Sequence, residues 1–216
     1  MHIHLIPGLG ADHRIFCKLD TAGHTVQHLD WPVMPRGSTI TDFARTFIDR
    51  VDQSVPHALV GMSMGGMVAQ ELALFTQPQR VVIISSWKGP HEMPPPLRLL
   101  RGRHPERVLT KAFLDRVMPM VRWQMGVEDP ESVALLDALV RVHGIDQLKV
   151  QIHAALNWKG PRRPPARLVH IHGNKDLLMP LAFIKDAQVV EGGSHFMVHD
   201  SAAEVSALLH KALAGH

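Results

Sequence analysis

The 216-residue chain contains no tyrosine, a single cysteine and few aromatic residues, 5% in all. Without tyrosine, a buried site loses one of the usual hydrogen-bond donors, so polar recognition falls to Trp, Ser, His, Asn or Arg. The lone Cys17 cannot close an internal disulfide, which excludes a disulfide-stapled scaffold and favours a reducing, cytoplasmic location. It falls on a helix-like stretch and reads as a small buried hydrophobe rather than a nucleophile. The longest apolar runs are strand-sized, well short of the roughly 18 residues a membrane span needs. Met1 leads straight into such a run, so no signal peptide is expected. The net charge is only +3 and no nucleic-acid reader motif is present, so no nucleic-acid partner is expected. No internal repeat occurs, and the one biased stretch is Pro94-Pro95-Pro96.

What is present is an alternation of short apolar runs with helical patterns. Strands are expected near 2–6, 24–29, 57–61, 80–85, 167–172 and 187–191. Helices are expected from Asp12, Ser38 and Ser63, with a last one from Ser201 to Leu213. Asp12 and Ser38 are suited to N-caps. This is the pattern of a mostly parallel six-stranded α/β sheet with helices on both faces. At 45% hydrophobic residues, the chain has enough apolar material for one domain with an elaboration.

The chemistry gathers at the ends of three of these strands. After His57-Ala58-Leu59-Val60 comes Gly61-Met62-Ser63-Met64-Gly65, then the helix-like Gly66-Met67-Val68-Ala69. A serine between two glycines on a strand-to-helix turn has the layout of a nucleophile elbow, in which the flanking glycines relieve backbone collisions. The strand at 167–172 runs into Gly173-Asn174-Lys175-Asp176, which sets a carboxylate just past its end. The strand at 187–191 is followed by Gly192-Gly193-Ser194-His195. The strand ending in Ser85-Ser86-Trp87 offers no carboxylate, so Asp176 is the best-placed acid. His199 and Asp200 follow His195 closely but fit the start of the last helix, with Asp200 as its N-cap.

With nucleophile, acid and base in the order Ser63, Asp176, His195, the chain resembles the α/β-hydrolase superfamily, in a short esterase- or thioesterase-like form. The resemblance covers 1–86 and 161–216 and extends only loosely to the segment between. It implies a Ser63–His195–Asp176 triad. It also implies an oxyanion hole from the backbone N–H groups of Leu9 and Met64. Pro7-Gly8-Leu9-Gly10 stands where members often carry His-Gly-x-Gly, and Pro7 replaces that histidine while leaving the oxyanion-hole donors intact. The superfamily sheet has eight strands, so this six-stranded version begins at the third.

Residues 87–160 break the alternation and resemble a helical cap inserted in the core; a decoration that touches no substrate is the alternative. Helical patterns run near 105–123 and 130–157, with Asp129 as N-cap, Pro130 at the first position, and Gly144 dividing the second. Met118, Met120 and Trp123 are expected to line an acyl pocket, with Trp158 closing its far side. Methionines there and at the elbow would suit acyl groups of varied shape. Between 87 and 125 the net charge is +5, which could attract an anionic substrate or simply be a solvated face. Sixteen histidines raise the question of metal. The pairs His2/His4 and His170/His172 lie on separate strands, and no ligand-spaced motif joins them, so neither metal nor cofactor is expected.

The expected activity is hydrolysis of an ester or thioester bond in a small, largely apolar acyl substrate. A related triad chemistry, such as acyl transfer, lyase action or carbon–carbon bond hydrolysis, is the alternative, as is a non-catalytic binding module. The pattern does not fix the oligomeric state.

Overall fold

The structure, a computed structural model, describes residues 1–214. Its inner strands bury apolar side chains on both sides because both faces of the sheet are covered there. In β1 (His2–Ile6), Ile3 and Leu5 face one apolar cluster and Ile6 the other. β3 (His57–Met62) sends Ala58, Val60 and Met62 to the first and Leu59 to the second. β4 (Arg80–Ile84) alternates in the same way. With β2 (Thr25–His28), β5 (Leu168–Gly173) and β6 (Gln188–Val190), they form one sheet in the order β2-β1-β3-β4-β5-β6. Every pairing is parallel. The six expected strands are all present.

The helix expected from Asp12 is a single 3₁₀ turn, His13–Phe16, with Asp12 accepting from the Arg14 N–H. Cys17 follows it and is exposed, not buried, while Ile15 and Phe16 are the residues that the turn sends inward. Thr39 rather than Ser38 caps α1 (Ile40–Arg45), in a reciprocal pair of hydrogen bonds with Asp42. Ser38 instead donates to the Pro35 carbonyl. α2 (Met64–Thr76) starts directly after Ser63 and covers the same face as α1.

Between β4 and β5 lie α3 (Pro95–Leu100), α4 (Lys111–Met125), α5 (Pro130–Val140) and α6 (Gly144–Asn157). The proline run starts a helix rather than breaking one: Pro95 and Pro96 occupy the first turn, where a missing N–H costs nothing. Thr110 caps α4, so residues 105–108 form only a 3₁₀ turn ahead of it. Asp129 caps α5, and Gly144, at φ +69°, separates α5 from α6. The insertion contributes Met118, Leu136 and Leu139 to one apolar cluster, and Val150, Ala154 and Trp158 to the other. It is tied down by polar contacts as well. The Gly10 N–H donates to Gln151 Oε1 (2.7 Å), and Gln147 exchanges two hydrogen bonds with the Met34 backbone.

α7 (Met197–Asp200) and α8 (Ala202–Ala214) pack on the face of the sheet opposite α1 and α2. Asp200 ends α7 and accepts from the Ser132 hydroxyl instead of capping the last helix. Among the described residues, no helix is long and apolar enough to cross a membrane.

Candidate active site

Ser63, Asp176 and His195 each follow the carboxyl end of a parallel strand: β3, β5 and β6. Ser63 has φ 52° and ψ −122°, a conformation a residue with a Cβ adopts only under constraint. Its neighbours supply that constraint. The Ser63 N–H donates to the Ile84 carbonyl (2.9 Å), and the Ser63 carbonyl accepts from the Gly66 N–H (2.9 Å) and the Ser86 hydroxyl (2.7 Å). A Cβ on Gly61 would overlap the Gly65 peptide, and one on Gly65 would overlap the Ile6 and Pro7 carbonyls. Only glycine fits at either place.

His195 Nδ1 lies 2.8 Å from Asp176 Oδ2, and His195 Nε2 lies 3.1 Å from Ser63 Oγ. Burial pushes the Asp176 carboxyl up. The His195 imidazole, the Met179 N–H and His172 outweigh that and hold it below the ordinary carboxylate range. An ionised carboxylate only accepts, so His195 Nδ1 carries the proton and Nε2 is free to accept from Ser63. All three side chains are buried.

A second buried pair braces the acid. His172 Nε2 donates to the Met179 carbonyl (2.7 Å), and the Met179 N–H donates to Asp176 Oδ1 (2.7 Å). His172 Nδ1 therefore accepts from His170 Nε2 at 3.1 Å. Burial drives His172 downward and pushes His170 down to about 2, so both rings stay neutral.

Gly8 rests on Ser63: a Cβ there would lie 3.4 Å from Ser63 Cβ. Leu9 and Met64 border the same cavity as Ser63 and His195. That cavity holds about 460 Å³ and is walled chiefly by aliphatic side chains of the insertion. The face of α4 bearing Leu114, Met118, Val121 and Met125 forms one wall, and Leu139 and Leu148 another.

Met118 is therefore at the cavity, but Met120 and Trp123 are not. They lie on the opposite face of α4, 52% and 65% exposed, because the inward stripe follows the 114/118/121/125 spacing. Trp158 is buried but outside the cavity wall, where its indole N–H donates to Glu71 on α2 (2.8 Å). Trp87, at the end of β4, borders the cavity instead. The sequence reading passed over Trp87 and also Ser86; the strand-end position of both was the available signal.

Among the described residues, one cluster has metal-ligand spacing: His104, Glu106 and His153. The pairs His2/His4 and His170/His172 do not form such a cluster. His104 Nδ1 is hydrogen-bonded to Glu106 Oε1 at 3.0 Å, and His153 Nδ1 lies 3.3 Å from the same oxygen. Its members come from α6 and the 3₁₀ turn before α4, so no local motif announces it.

Solved structures resemble the whole chain. The thermophilic esterase from Thermogutta terrifontis has 15% identity and a TM-score of 0.73, over 99% of this chain and 89% of that one. The enol-lactonase from Burkholderia xenovorans has 19% identity and a TM-score of 0.70, over 99% and 91%. The RedJ thioesterase from Streptomyces coelicolor has 17% identity and a TM-score of 0.65, over 98% and 90%. At these identities the likeness concerns the fold. No curated protein matches the chain in sequence. Residues 3–208, nearly the whole chain, match the sequence profile of the Alpha/beta hydrolase family, and the chain belongs to that family.

Proposed function

We propose that this chain is a serine hydrolase that cleaves carboxylic ester or thioester bonds of a small, largely apolar acyl substrate. The observation that carries this is the hydrogen-bonded series Ser63–His195–Asp176 at the floor of an aliphatic cavity. His195 Nε2 takes the Ser63 proton as Oγ attacks the acyl carbon, and later returns it to the leaving alcohol or thiol. Asp176 keeps Nδ1 protonated and stabilises the imidazolium that forms. The Leu9 and Met64 N–H groups are assigned to the oxyanion, at about 3 kcal/mol per donor. Water, activated by His195, then releases the acid and regenerates Ser63.

Residues 87–160 act as a cap over the core formed by 1–86 and 161–216. The cap excludes bulk water and sets acyl shape. Esterase and thioesterase neighbours of the same fold support this reading. The test is labelling with a fluorophosphonate, followed by a panel of p-nitrophenyl esters and acyl thioesters. The adduct should lie on Ser63, be lost in Ser63→Ala, and accompany turnover of short or medium acyl chains. Labelling at Ser85, Ser86 or Ser194 would move the nucleophile. Labelling of Ser63 without turnover of any ester or thioester would leave acyl transfer or another triad chemistry in its place.

A further inference from the structure

The outer face of the insertion carries a group of large apolar side chains open to solvent. Leu99 is 68% exposed and Val108 70%, and along α4 the positions Phe113, Met120 and Trp123 also face solvent. Leu100 and Phe113 belong to this exposed set and line the cavity above Ser63, so they form its rim. The apolar surface is thus continuous with the cavity mouth. Basic residues are interspersed with it: Arg98, Arg103, Arg107, Lys111 and Arg116 are all exposed, with Arg116 on the same face of α4 as Met120 and Trp123. From 93 to 125 the only acidic residues are Glu106, which is buried, and Asp115, which pairs with Lys111 at 2.7 Å.

An isolated exposed leucine needs no explanation, but a group of them with an aromatic stripe and interspersed cations does. Leu, Phe and Trp on a face shared with Lys and Arg are the chemistry of a segment that lies in a lipid headgroup region. We propose that this face docks on the surface of an anionic phospholipid bilayer and turns the cavity mouth toward it. The cations meet lipid phosphates and anionic headgroups, and the apolar side chains enter the acyl boundary. Another copy of this chain fits less well, because a positive face would meet a positive face.

The chain contains its own reporter. Trp31, Trp87 and Trp158 are 6%, 4% and 5% exposed, whereas Trp123 is open to solvent. The experiment uses Ser63→Ala protein, so the result does not depend on whether the chain hydrolyses esters. It is mixed with phosphatidylcholine vesicles, with or without phosphatidylglycerol. Sedimentation should show more than about tenfold stronger partition to the anionic vesicles, from several cations near the surface. Added salt should weaken it. Trp123 emission should shift to the blue and gain protection from iodide. Leu99→Gln/Val108→Gln and Arg103→Glu/Arg116→Glu, all at exposed positions outside the cavity wall, should each reduce partition. Equal or absent binding to the two vesicle types would overturn the proposal. So would vesicle binding that leaves Trp123 emission unchanged. A blue shift that grows with protein concentration alone, with a matching rise in mass by light scattering, would assign the face to self-association.

Discussion

Ser63 keeps its left-handed backbone because every polar group of its peptide is held, and Ser86 supplies the contact that lies farthest from it in sequence. The Ser86 hydroxyl reaches the Ser63 carbonyl from the end of the neighbouring strand. Removing it in Ser86→Ala leaves a buried carbonyl with one fewer partner, at a cost of about 1 kcal/mol in urea unfolding. The same variant should slow labelling by fluorophosphonate, because Ser63 loses a restraint on its orientation. Unchanged labelling would show that the strand and α2 hold Ser63 without it. Asp176 acts one bond further out. In Asp176→Asn the side chain can donate to His195 Nδ1, which moves the imidazole proton to Nε2, where it blocks acceptance from Ser63. Ester turnover should fall by about 10⁴ with the fold intact. Near-normal kcat would place the acid elsewhere.

Under the proposed activity α4 sets which acyl groups fit, and Met118 is its most enclosed cavity residue. Met118→Ala should lengthen the preferred acyl chain, raising kcat/KM for longer esters relative to acetate. Loss of the buried side chain costs about 2–5 kcal/mol, less where the wall already borders a void. An unchanged chain-length profile would put the acyl group in another part of the cavity. The same helix shows what could and could not be read from sequence. Ser63, Asp176 and His195 were legible because each ends an apolar strand at a glycine-marked turn, a local signal that their convergence in the fold matches. The period of α4 was legible too, but its phase was not. Apolar residues occupy both faces, so Met120 and Trp123 looked as inward as Met118. Trp158 was misplaced for a different reason. Its indole is committed to Glu71, 87 positions away, and no local pattern reports such a partner. α3 was not anticipated, because its six residues are too short for an apolar period to show, although prolines in the first turn can start a helix.

Across the whole molecule, the sheet carries neutral histidines in its interior, and these set how stability responds to acid. Burial lowers His4 to about 4, aided by its neighbours His57 and His2. Burial, with His172 and Lys88, lowers His170 to about 2. Both lie on core strands, His4 in β1 and His170 in β5. Below the ordinary histidine value of about 6.5, the unfolded chain binds protons that the folded chain refuses. Stability therefore falls as pH drops, by about 1.4 kcal/mol per pH unit for each such histidine, until the folded value is reached. Asp176 works in a lower window. Its folded value is depressed, so its contribution is present above the ordinary aspartate range and fades only below it. The loss between neutrality and mild acid thus belongs to the histidines. Urea unfolding at about pH 7.5, 6 and 5 should show a steady decline, steeper than one proton per molecule. His4→Leu should lower that slope by about one proton while leaving the slope due to His170 in place. A stability that stays flat from neutrality to about pH 5 would mean that these rings accept protons in the folded sheet.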